Sequence, residues 1–158
     1  MTIDSRALRN ALGQFATGVT IITAVPKGGK PFGMTVNSFS ALSLDPPLVL
    51  WSLQKNSECA AAFDQASHYG VNILQHDQMD VSNAFAKKGE HDLPTGGYRL
   101  GRSGTPVLKG CMATFECRIT DRHDGGDHII LVGEVEEMHS LPDRKPLVFF
   151  SGRYRELK

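Results

Sequence analysis

From Gly110 to the C-terminus the chain is a succession of strand-like runs divided only by turns: "GCMATFECRIT", the turn "HDGGD", "HIILVGEVEEMHSL" and "PLVFFSGRY". Polar and apolar residues alternate in "MATFECRIT" and "EVEEMHSL", which gives each strand one solvated face, as in an antiparallel barrel. The strands of the whole chain are not interleaved with helices regularly enough for a doubly wound sheet. This pattern restricts the chain to a mainly β fold.

The upstream part adds strands and a few short helices. Ala7, Leu8, Ala11, Leu12 and Phe15 recur at helical spacing, with Asp4 or Ser5 as cap and Gly18 as the expected end. Arg6 and Arg9 lie near one another on the other side of that helix. "VTIITAV", the turn "PKGGKP" and "FGMTV" read as a hairpin, and the apolar strand "LVLWSL" follows Pro46 and Pro47. "NSECAAAFDQA" predicts a short helix starting at Asn56 or Ser57, "YGVNIL" a strand, and "DQMDVSNAFA" a second short helix. Residues 87–105 lack a period and are rich in Gly and Lys, which predicts a surface loop that moves. The sum is one domain over residues 1–158, an antiparallel β-barrel with a few short peripheral helices.

At 158 residues and 41% hydrophobic composition the chain can bury a substantial core without staples. Seventeen Lys and Arg balance seventeen Asp and Glu, so nothing draws the chain as a whole to nucleic acid or an anionic membrane. No apolar run approaches the ~20 residues of a membrane span, and the N-terminus lacks a signal-peptide core. A cytoplasmic protein is expected. Cys59, Cys111 and Cys117 are odd in number and show no CxxC spacing, which predicts buried thiols rather than disulfides or zinc ligands. The six histidines form no spaced pair, so no metal site is expected.

Three stretches carry candidate chemistry. In "GMTVNSFSALSLDPPLVLWSL", Thr35, Asn37, Ser38, Ser40 and Ser43 crowd hydroxyls and an amide along one strand and its exit, and Ser52 sits in the neighbouring strand. A flat heteroaromatic ring with donors and acceptors along one edge suits that strip, with Leu53 or Trp51 covering a face; a merely solvated edge strand accounts for it equally. Asn56 and Ser57 stand at an expected helix N-terminus, with Lys55 just before, where amides and dipole favour a phosphate; any capped helix looks similar. In "GGDHIILVGEV", Gly125 and Gly126 permit a tight turn that presents His128 at a strand start. A hairpin corner explains everything there except the placement of the histidine.

Together, "FATGVTIIT", "GMTVNSFSALSLDPPLVL", "GDH" followed by "GEV", and "PLVFFSGRY" resemble the flavin reductase-like family, the small reductases of two-component monooxygenases. The resemblance covers nearly the whole chain in order and spacing. It implies the split β-barrel fold, a homodimer, FMN or FAD as flavin, NADH or NADPH as hydride donor, and a monooxygenase that receives reduced flavin by diffusion. By the same resemblance Thr35, Val36, Asn37 and Ser38 lie along the isoalloxazine and ribityl chain, Ser52 and Leu53 contact the ring, and Ser57 helps hold the phosphate. Phe85 and Tyr154 lie near the flavin, and His128 is the nicotinamide-side residue. The loop "AKKGEHDLPTGGYRLGRSG" departs from the family pattern. The runner-up is a split-barrel flavoprotein that binds flavin without reducing it freely; a non-enzymatic binding module is third.

Overall fold

A computed structural model describes residues 2–158. The chain runs α1 (Ser5–Leu12), β1 (Thr17–Gly18), β2 (Thr20–Ala24), β3 (Phe32–Val36), β4 (Ser40–Leu44), β5 (Pro47–Gln54), α2 (Ala60–Asp64), β6 (His68–Ile73) and α3 (Met79–Ala86). It continues through β7 (Tyr98–Leu100), β8 (Pro106–Leu108), β9 (Ala113–Gly125), β10 (His128–Ser140), β11 (Val148–Phe150) and β12 (Arg153–Arg155). A seven-stranded sheet has the order β3-β2-β6-β9-β10-β5-β4, and every neighbouring pair in it is antiparallel.

The two edge strands of that sheet, β3 and β4, are neighbours in sequence, joined only by Asn37, Ser38 and Phe39. A link of this length spans at most about 14 Å. The sheet therefore rolls up until its edges almost meet, and the result is a split β-barrel with its seam at Asn37–Phe39. Along β5 the pleat turns Val49, Trp51 and Leu53 into the barrel, while Leu48, Leu50 and Ser52 are half-buried on the other face. Trp51 meets the Phe63 ring edge-on at 4.8 Å and the Tyr69 ring at 6.0 Å. All five residues of β2 are buried, because Ile22 faces the barrel core and Ile21 faces a second core with Leu74, Phe85 and Leu147.

Four local expectations change. The first helix stops at Gly13, whose N–H returns to the Arg9 and Ala11 carbonyls; Gly18 lies in β1. Asp4 caps that helix by accepting from Ala7 N–H at 2.9 Å. Helix α2 begins at Ala60 rather than at Asn56 or Ser57, because the Ser57 hydroxyl accepts from Cys59 N–H and keeps the preceding residues in a turn. At the β9–β10 corner only Gly126 takes a positive φ (74°), so one glycine rather than two permits the turn.

The fourth change concerns residues 87–105, which are a strap rather than a free loop. Gly33 N–H donates to His91 O at 2.8 Å and Leu93 N–H to Pro31 O at 3.1 Å, so the segment covers the open edge of β3. His91 fastens it: Nδ1 lies 2.9 Å from Gly33 O and Nε2 2.5 Å from Glu58 Oε1. The same Glu58 oxygen accepts from Gly89 N–H at 2.6 Å. The Gly89 amide first, and His91 second, hold the Glu58 carboxyl below its ordinary value. Farther along, β7 pairs with β8.

Candidate active site

The seam collects most of the candidate residues. Thr35, near the end of β3, donates its hydroxyl to Ser82 O on α3 at 2.6 Å, and Thr20 donates to Val36 O at 3.0 Å. The strand end is thus held from both sides. The next residue, Asn37, is exposed, and its side chain has no hydrogen-bond partner among the described residues. Ser38 behaves differently. Its Oγ accepts from Ser52 N–H at 3.0 Å and donates to Ser52 O at 3.1 Å.

The register gives that contact its meaning. Ser40 pairs with Leu50 in the β4–β5 ladder, so continuing it by two residues brings Ser38 opposite Ser52. The Ser38 hydroxyl completes the ladder in place of a backbone N–H and C=O, and so closes the seam. Ser52 and Ser38 are therefore brought together as expected, but the hydroxyl serves first as a structural clasp. The cover expected of the Trp51 or Leu53 side chain is not available, since both are buried in the barrel, at 0% and 1% exposure. At Leu53 only the backbone can meet a ligand.

Asn37 and Ser38 line a cleft of about 940 Å³ under α1, together with Arg9, Asn10, Gln14 and Thr17. The Thr17 hydroxyl is buried with no partner among the described residues. The opposite wall is the β11–β12 turn, where Ser151 and Gly152 both have positive φ (51° and 76°), the geometry of a tight hairpin turn. Ser151 N–H donates to Gly13 O at 2.9 Å and ties this turn to the end of α1. An orphaned hydroxyl and a free amide in one roomy cleft fit a ligand with donors and acceptors along an edge, as a flavin has.

A second group gathers around Tyr154. Its hydroxyl lies 2.6 Å from Ser82 Oγ and donates to Asn83 Oδ1 at 3.0 Å, and its ring meets Phe149 edge-on at 5.5 Å. Phe85 lies on the same helix, buried in the second core at 7% exposure. Sequence reading missed Ser82 and Asn83; their only sequence signal was their place in "SNAFA", one helical turn ahead of Phe85.

His128 opens β10 opposite Gln54 at the end of β5. Gln54 is two residues, about 7 Å of strand, from Ser52. The Asp127 carboxylate accepts from His128 Nδ1 at 2.7 Å, and that hydrogen bond holds the Asp127 carboxyl below its ordinary value. Lys55 N–H donates to Asp127 O at 2.9 Å, and the Lys55 ammonium pairs with Asp124. The corner is thereby anchored beside Ser57. With α2 only five residues long, the phosphate attraction expected of its dipole is small, and what Ser57 offers is the turn before it.

The description "Flavin reductase like domain" fits residues 12–158. The chain belongs to the flavin reductase-like family. It is 47% identical over 153 residues to the FMN reductase (NADH) SmoA of Agrobacterium fabrum, covering 96% of this chain and 85% of that one. The reductase subunit HsaB of a flavin-dependent monooxygenase from Mycobacterium tuberculosis is 40% identical over 154 residues, covering 96% and 82%. The NADH:FAD oxidoreductase SgcE6 of Streptomyces globisporus, solved with NAD and FAD fragments, superposes with a TM-score of 0.91 at 34% identity, covering 100% of this chain and 97% of that one. The split barrel is the fold of these flavin reductases, and this member is an NAD(P)H-dependent flavin reductase that uses flavin and nicotinamide nucleotides.

Proposed function

We propose that this reductase is the flavin-supplying component of a two-component monooxygenase and works as a homodimer in the cytoplasm. The observation that carries the reading is the seam: one strip of chain, Asn37–Ser38, belongs both to the closure of the barrel and to a wall of the cleft. A flavin bound there supplies hydride acceptance at its N5 from the nicotinamide C4. The protein's share is position and electrostatics, so no side-chain nucleophile is needed. The Asn37 amide and the Thr17 hydroxyl offer donors to the ring edge, where they stabilise the negative charge that reduction places on it.

His128 orients the second ring. Asp127 takes its Nδ1–H and so fixes the ring's orientation, which leaves Nε2 free to hydrogen-bond the carboxamide. This is a positioning task rather than proton transfer. The homodimer is supported by α1, which has no buried residue, and by the exposed Leu12 at its end (66%) and Phe15 just beyond it (79%). Of the apolar surface that the sequence offers for a dimer, Trp51 and the "LVFF" strand, Trp51 and Leu147 are buried in the subunit, and Val148, Phe149 and Phe150 are half-buried. A reducing compartment suits three unpaired cysteines, and no helix among the described residues is long and apolar enough to cross a membrane.

The test is anaerobic oxidation of NADH and of NADPH with FMN, FAD and riboflavin in turn, followed by adding the reduced flavin to an oxygenase component. Turnover with free flavin in excess over protein is expected. Reduction of one bound equivalent only, without turnover, would replace this reading with that of a flavoprotein that keeps its flavin.

A further inference from the structure

The corner that carries His128 has little packing to hold it. Every residue from Asp121 to Asp127 is exposed, and Gly126, with its φ of 74°, makes the turn without lending it a side chain. Backbone pairing fixes the strand behind the corner, with His128 opposite Gln54 of β5 on one side and Gly125 of β9 on the other. Two side-chain ties add to it. Arg122, which stands opposite Leu131 in the ladder, donates to Phe63 O at 3.1 Å and to Ala66 O at 2.9 Å and so secures β9 to the end of α2. Lys55 makes the other tie, at the corner itself.

In the sheet β10 lies between β9 and β5. Lys55, the first residue after β5, gives its N–H to Asp127 O at 2.9 Å, and its ammonium pairs with Asp124, which stands opposite Ile129 on the β9 side. The Lys55 side chain thus crosses the start of β10 and joins the two strands that flank His128. Those strands are two spacings apart, about 9–10 Å, a gap that an extended lysine and an aspartate bridge together. Asp127 in turn accepts from His128 Nδ1 at 2.7 Å, and its carboxyl is held below its ordinary value first by His128 and, more weakly, by the Lys55 charge. The contacts therefore run Asp124, Lys55, Asp127, His128. An ammonium committed in this way is not the free charge beside a phosphate that its place before Asn56 and Ser57 suggested.

We propose that Lys55 and Asp124 are positioning residues for the nicotinamide nucleotide: their ion pair, drawn across the start of β10, sets where His128 points. The inference rests on the nicotinamide role given to His128 above. Two rings held at hydride-transfer distance tolerate little displacement, so a corner that wanders costs rate. The Lys55 and Asp124 side chains are 41% and 77% exposed, which screens the pair and keeps its effect modest.

The test is steady-state oxidation of NADH by Lys55→Met, Asp124→Asn and the double variant, beside fluorescence titration with FMN and with riboflavin. Each single variant is expected to lower kcat/KM for NADH about twofold to fivefold and the double variant no further, with flavin affinity within about twofold of wild type. Lys55→Arg, which keeps the charge, should hold the wild-type value. Adding Lys55→Met to His128→Ala should lower kcat/KM no more, because the pair acts through the imidazole; a tie that merely stabilised the fold would not show this dependence. Thermal unfolding shows that each variant is folded, and Asp124→Asn carries the test if Lys55→Met is not. Weaker FMN binding with riboflavin unchanged would mean that Lys55 holds the flavin phosphate. An unchanged kcat/KM would mean that the ladder alone orients His128, and a full effect in the His128→Ala background that Lys55 meets the nucleotide itself. Each of these overturns the proposal and leaves the role of His128 standing, whereas wild-type NADH kinetics in His128→Ala would overturn both.

Discussion

Replacing Ser38 by Ala isolates the clasp that closes the barrel. The substitution removes two hydrogen bonds, one accepted from Ser52 N–H at 3.0 Å and one donated to Ser52 O at 3.1 Å. At about 0.5–1.5 kcal/mol each they contribute about 1–3 kcal/mol, and water reaching the half-buried Ser52 holds the loss to about 1–2 kcal/mol. For a chain of this size that corresponds to a fall in Tm of roughly 2–8 °C. Because the seam strip is also the cleft wall, flavin affinity should fall as well, by about threefold or more. Asn37→Ala is the control: its exposed side chain holds no partner among the described residues, so affinity should fall at unchanged Tm. Differential scanning calorimetry with parallel flavin titration reads both quantities. If Ser38→Ala unfolds at the wild-type temperature, the hydroxyl does not complete the ladder and the reasoning from register is wrong.

Three further outcomes are expected. His128→Ala should keep flavin affinity while kcat/KM for NADH falls about tenfold, and stopped-flow traces with the wild-type NADH dependence would return the β9–β10 corner to a purely structural role. The depressed Glu58 carboxyl contributes stability above its unfolded-state value that is lost as pH falls through its lowered folded value. Amide exchange at Gly89 and Gly33, after correction for the intrinsic rate, should therefore lose protection below about pH 4, whereas a flat profile from pH 6 to pH 3 would refute the fastening. Leu12→Glu with Phe15→Glu should convert a dimer to monomer in sedimentation equilibrium, and a wild-type monomer at micromolar concentration would remove the role given to α1.

What could be read in the sequence was local. The strands β2, β3, β5 and β6 were legible because β-branched and apolar runs bounded by Gly and Pro admit little else. The alternation along β5 also held information that was not used: Leu53 and Ser52 fall on opposite faces, so both side chains could not meet one ring. The start of α2 was misplaced because Asn and Ser serve turns as readily as caps, and at Ser57 the turn wins. The strap was not legible, since its partners lie far away in sequence: His91 reaches Gly33 and Glu58, 58 and 33 residues distant. The same holds for the Ser82–Tyr154 pair, 72 residues apart. Within the site, the strip 35–38 was visible as composition, whereas the clasp by Ser38 became visible only through the register of β4 on β5.

The three thiols were read as inert packing, and their burial has a chemical consequence. Cys59 and Cys111 are pushed up to about 11 and Cys117 to about 12, in each case chiefly by desolvation. Peroxide attacks the thiolate, and at pH 7 a thiol of pKa 11 is ionised in only about one molecule in ten thousand. Reduced flavin that meets oxygen before it meets an oxygenase yields hydrogen peroxide at the mouth of the very protein that released it. At the surface, these cysteines would be oxidised in proportion to how much reducing power the reductase wastes. Sunk in the two cores, they meet that peroxide almost wholly as unreactive thiols.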